Sequence, residues 1–159
     1  MSPAHEVDTE YLVRQAMSTG YQWSSLIVPP IYIAYIIARK GRGEFSLNRV
    51  LRATWVGGLG AAALSGGAAY VRYAYSNEQS VRAKRVEIAY DVDTLRRNDH
   101  STIGSILGAV LAPALLWKRT GVVNLILGGA GLGSAIGLST HYARTISGDP
   151  PPKVELPYS

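Results

Sequence analysis

The chain has no cysteine, a single phenylalanine and only three histidines, His5, His100 and His141, among its 159 residues. Without thiols there is no disulfide framework and no thiolate nucleophile, and cysteine usage carries no information about redox compartment. Three scattered histidines and no cysteine argue against a metal site built from the protein's own ligands. His141, beside Tyr142 and Arg144, reads as an interfacial residue rather than a ligand. The apolar runs also lack ionisable side chains. A proton or ion pathway needs acids, histidines or lysines at membrane depth, whereas these runs hold only neutral polar residues such as Ser65, Asn124, Ser134, Ser139 and Thr140. Asn124 reads as a helix-to-helix hydrogen bonder or an interfacial residue. No nucleophile, base and orienting acid fall at a workable spacing, so no enzymatic activity is expected. Gly128-Gly129-Ala130-Gly131 resembles a fragment of a dinucleotide loop. It has neither a preceding strand nor a ribose-binding acid, so no cofactor is expected.

What the chain has instead is glycine, 17 residues of it, placed in apolar runs. In Leu127–Ser147 the glycines Gly129, Gly133 and Gly137 recur every fourth residue, on one face of a helix. Each would cost a soluble helix about 1 kcal/mol relative to alanine. In lipid, small residues at this spacing let a neighbouring backbone approach and drive helix association by dispersion. A second copy lies 71 residues earlier, in Val56–Ser76, where Gly58, Ala62 and Gly66 align with Gly129, Gly133 and Gly137. A third stripe, Gly104, Gly108 and Ala112, lies in Thr102–Trp117.

Four apolar runs result: 21–38, which Pro29 and Pro30 should kink, then 54–75, 102–117 and 122–142. The expected fold is an all-α membrane protein of four transmembrane helices, arranged as two glycine-striped hairpins by internal duplication. The pattern divides into a polar N-terminal segment (1–20), a first hairpin (21–75), an amphipathic linker helix (76–100), a second hairpin (101–147) and a proline-rich tail (148–159). The N-terminal segment is expected to form a short surface helix capped at Asp8 or Thr9.

The formal net charge of +5 comes from basic residues at the ends of apolar runs, which read as membrane-interface anchors rather than as a nucleic-acid surface. The hairpin loops carry Arg39, Lys40, Arg42, Arg49, Arg52, Lys118 and Arg119 against Glu44 alone, while the terminal side carries nine basic and ten acidic residues. The loops are therefore expected on the cytoplasmic or matrix side. Arg39, Lys40, Arg42, Lys118 and Arg119 are candidate contacts for the head group of an anionic phospholipid such as cardiolipin. Glu6, Asp8 and Glu10 precede the first arginine, Arg14, so neither a secretory signal nor an amphipathic presequence is expected. Mitochondrial targeting would have to be internal.

With its glycine stripes at Gly58/Ala62/Gly66, Gly104/Gly108/Ala112 and Gly129/Gly133/Gly137, its acidic start and its basic loops, the chain resembles the mitochondrial inner-membrane preprotein translocase family over about residues 21–147. That resemblance implies a four-helix core with both termini in the intermembrane space. One branch of the family serves as an accessory subunit of respiratory complex I. The family's longer signature sets an aspartate between an arginine and a glycine pair, and here Val56 and Val123 stand in its place. The departure favours a scaffold over a translocase. The implied partners are other membrane subunits of a large complex. A translocase or solute-transport component, and a stand-alone assembly or membrane-shaping protein, are the alternatives.

Overall fold

The structure, a computed structural model, describes residues 2–41, 43 and 45–152, and is helical almost throughout, with no strand among the described residues. Five helices follow one another: α1 (Pro3–Lys40), α2 (Leu47–Ala74), α3 (Glu78–Ala89), α4 (Val92–Leu116) and α5 (Val122–Ile146). α1 packs along α2, and α4 along α5; α5 also rests on α2 and α1, and α3 lies against α1.

The N-terminal segment is not a separate helix. α1 is continuous for 38 residues, about 57 Å at 1.5 Å per residue, and its cap is Ser2, whose side chain accepts from the backbone N–H of His5 at 3.2 Å. Nothing between Ser18 and Tyr21 stops the helix. At Gly20 α2 packs close, with the Ser65 hydroxyl and, at 2.8 Å, the carbonyl of Ala61 next to where a Cβ would stand. The helix also continues through Pro29 and Pro30. The linker, by contrast, is broken. Asn77 caps α3, and Asp91 caps a new helix by accepting from the Asp93 N–H at 3.2 Å and from the Thr94 hydroxyl at 2.6 Å. The second half of the linker thus becomes the polar start of α4.

Two helices, not four, are long and apolar enough to cross a membrane by length and composition: α4 and α5. α1 and α2 dilute their apolar runs with Gln22, Ser24, Ser25, Arg49, Arg52 and many small residues. Only 6% of the apolar window of α4 is buried within the protein, so its leucines and isoleucines point away from the bundle. The same inversion holds on the other helices. Ile27 and Ile31 of α1, Leu59 and Leu64 of α2, and Ile136 of α5 are exposed, while Gln22, Ser25, Thr54, Ser101, Ser134 and His141 are buried. A water-soluble bundle places its large apolar side chains the other way round.

The two halves run in register. Ser2 bonds to Glu78, Gln22 to Asn98 and Asn48 to Asn124, each pair 76 residues apart. A constant separation along facing helices means that they run parallel, so the second half retraces the course of the first.

Candidate helix-packing site

α5 is the helix that positions the rest, because it presents glycine on two faces. On the first, Gly129, Gly133 and Gly137 meet Gly104, Gly108 and Ala112 of α4. A Cβ on Gly108 would stand 2.9 Å from the Cα of Gly133, and one on Gly133 would stand 3.0 Å from the Cα of Gly108. A Cβ on Gly129 would reach the carbonyl oxygen of Gly108 at 2.5 Å and Ala112 Cβ at 2.6 Å. These are contacts of backbone on backbone, which no rotamer change can relieve. The same seam holds the hydroxyls of Ser101 and Ser134 2.6 Å apart, so these two buried groups satisfy each other. It ends at His141, fully buried, with Nε2 3.2 Å from Asp93 Oδ1.

On its second face α5 presents Gly128 and Gly131. A Cβ on Gly128 would meet the Cα of Leu51 at 2.8 Å; one on Gly131 would meet Thr54 Cγ2 at 2.7 Å and Tyr21 Oη at 3.5 Å. One turn earlier, Asn124 joins the halves: it accepts from Trp55 Nε1 at 2.9 Å and donates to Asn48 Oδ1 at 2.7 Å. Asn124 is thus a helix-to-helix hydrogen bonder. Gln22 Nε2 donates to Asn98 Oδ1 at 2.8 Å, and the Asn98 amide donates to Gln15 at 3.3 Å, bridging α1 and α4.

In the first hairpin the stripe works differently. Gly58 receives the ring of Tyr21, whose Cε2 would lie 2.7 Å from an added Cβ, and Gly66 receives Met17. Ala62 is buried between them. Because α1 has no glycine row, its side chains fill the gaps that α2 offers. Ser65 adds a bond across the pair, donating to the carbonyl of Ala16 at 3.0 Å.

Of the candidate head-group contacts, Arg39, Lys118 and Arg119 are exposed at the loop ends of their hairpins, Arg42 lies outside the described residues, and so does the side chain of Lys40. Among the described residues no group of three or more metal-ligating side chains converges. The second face of α5, the partners of Asn124 and the Gln22–Asn98 pair escaped the sequence reading. Gly128 and Gly131 were visible in the internal copy, but the amide partners lie 76 residues apart and leave no local pattern.

At the opposite end Gly148, at φ +96°, turns the chain out of α5, and Asp149 returns to the helix ends. Its carboxylate takes bonds from Arg96 at 2.5 Å and Arg144 at 2.8 Å, and these hold its pKa below the ordinary 3.8. The depressed value means that the tie is present above the usual carboxylate range and is lost as pH falls through the folded value. A spin label on Pro152→Cys should therefore be ordered at neutral pH and gain mobility only once the pH has fallen below the ordinary carboxylate range. An Asp149→Asn variant should be mobile throughout.

No protein family, curated protein or solved structure matches this chain.

Proposed function

We propose that this protein is a non-catalytic accessory subunit of mitochondrial respiratory complex I, the NADH:ubiquinone oxidoreductase, and that it stabilises the membrane arm by helix packing. In this reading it lies in the inner membrane as four spans with both termini in the intermembrane space. The observation that supports it best is the partial inversion of the bundle: most large apolar side chains lie outside, while glycine, serine and amide groups share the interior with a few leucines, Leu12, Leu51, Leu125 and Leu138. α1 has no charge from residue 21 to 38 and α2 none from 53 to 71. At 1.5 Å per residue each stretch approaches the roughly 30 Å of hydrocarbon that α4 and α5 also fit. The interior is occupied by contacts that α5 makes with its own neighbours, which suits a scaffold. The outward apolar faces remain for lipid and for other subunits. Exposed Arg39, Lys118 and Arg119, with Lys40 and Arg42, would meet anionic head groups, cardiolipin among them, on the matrix side.

Native-gel separation of gently solubilised mitochondrial membranes tests the assignment. The tagged protein should migrate with NADH dehydrogenase activity, and its deletion should lower the yield of the intact complex. Migration with a precursor-import complex, or as a free small species, would refute it. The second reading, a preprotein translocase or solute-transport component, draws on the buried amides of Gln22 and Asn98. These groups bond each other at 2.8 Å rather than facing an open path.

A further inference from the structure

A groove of about 450 Å³ runs between α1 and α2 beneath α3, at the end of the bundle away from the basic loops. Leu12, Ala16, Ala69 and Ile88 supply apolar walls, and Gln15, Arg72 and Tyr73 line it with hydrogen-bond donors. The lining contains no carboxylate. Arg72 meets the ring of Tyr73 at 5.7 Å, and no acid reaches its guanidinium among the described residues. The acids nearby are engaged elsewhere: Asp8 pairs with Arg85, Glu10 with Arg14 and Glu87 with Lys84. Nε2 of Gln15 is buried with no acceptor. Along α2 the groove extends from Arg72, where the uncharged stretch ends, back to Ser65, about 10 Å into that stretch.

A cation without a counter-charge and an amide without an acceptor, set over apolar walls, call for a ligand with an anionic, acceptor-rich head and a hydrocarbon tail. We propose that this groove binds one anionic phospholipid of the outer leaflet, with its phosphate on Arg72 and Gln15 and an acyl chain along the open side of the groove at Ala16, Gly20 and Ala68. Tyr73 donates to the same head group, and Ile88 of α3 closes over it. The site is separate from the loop residues Arg39, Lys118 and Arg119. It rests on the reading that the first hairpin lies in the bilayer.

Native mass spectrometry of the purified full chain in detergent, titrated with dioleoyl phosphatidylglycerol, tests the site. One lipid should bind to the wild type at least tenfold more tightly than to Arg72→Gln, with Gln15→Leu intermediate and Arg82→Gln, a change at an exposed arginine of α3, like the wild type. Dioleoyl phosphatidylcholine should bind more weakly, and inorganic phosphate should not compete. Circular dichroism should give the same helix content for all variants. Equal binding by Arg72→Gln, an equal loss in Arg82→Gln, or displacement by inorganic phosphate would each overturn the proposal. Carbonate extraction separates this failure from that of the membrane reading. A protein that carbonate releases from its membrane refutes the membrane reading, whereas a retained protein with an unaffected Arg72→Gln refutes only the site.

Discussion

Replacing Gly133 by alanine should cost about 3 kcal/mol of stability in detergent micelles, and replacing it by leucine should abolish the compact fold. The reason is what the new Cβ meets: the carbonyl of Gly104 and, at 3.0 Å, the Cα of Gly108. Backbone cannot rotate aside as a side chain can, so α4 must move away from α5 along the whole seam. Dispersion falls steeply with distance, and Gly104, Gly108, Gly129 and Gly137 lose their contacts together. The matched controls are Gly60→Ala and Gly67→Ala. Both glycines lie in α2 and nothing stands within 4 Å of a Cβ at either. They should leave stability unchanged or raise it by up to about 1 kcal/mol, since alanine is the better helix former. Denaturation by sodium dodecyl sulfate, followed by circular dichroism, reads both signs.

The second large effect is expected at Gly128, on the other face of α5. An alanine there would meet Leu51 at its Cβ, Cα and carbonyl, at 2.6 to 2.8 Å, and would push α2 from α5 while leaving the α4 seam untouched. The cost should be about 2 to 3 kcal/mol. The displacement has a local reporter, because Trp55 donates its indole N–H to Asn124 across this contact. With Trp23 and Trp117 replaced by phenylalanine, the emission of Trp55 should shift in Gly128→Ala and stay in place in Gly133→Ala. An equal shift in both would mean that the two faces of α5 are not independent.

These two glycines show what was legible in the sequence. Four-residue spacing marks a face that something approaches, and Gly104, Gly108, Gly129, Gly133 and Gly137 do meet one another. The spacing does not say what approaches. Gly58 and Gly66, aligned with Gly129 and Gly137 in the internal copy, receive the side chains of Tyr21 and Met17 instead of a backbone. That difference lies in α1, which has no glycine row opposite them. The joint between the halves is legible at one residue only, Asn124, which reads as a helix-to-helix hydrogen bonder or an interfacial residue; its partners Trp55 and Asn48 lie 69 and 76 residues away and look unremarkable in their own segments. The polar residues before Tyr21 suggest a separate surface helix and hide the continuity of α1. In the structure Gln15, Thr19 and Gln22 face the polar start of α4. A polar stretch suggests contact with water; here its partner is another polar stretch of the same chain.

The central claim is that both hairpins cross one membrane and are held together by α5. The absence of cysteine makes a direct test simple, since any introduced thiol is the only one. Single variants Ser2→Cys, Gly43→Cys and Lys118→Cys, inserted in sealed membrane vesicles, can be treated with a membrane-impermeant maleimide. Gly43→Cys and Lys118→Cys should label from the same side, and Ser2→Cys only from the opposite one. Labelling of Gly43→Cys from the side that reaches Ser2→Cys would show that the first hairpin does not cross, and would contradict the four-span account.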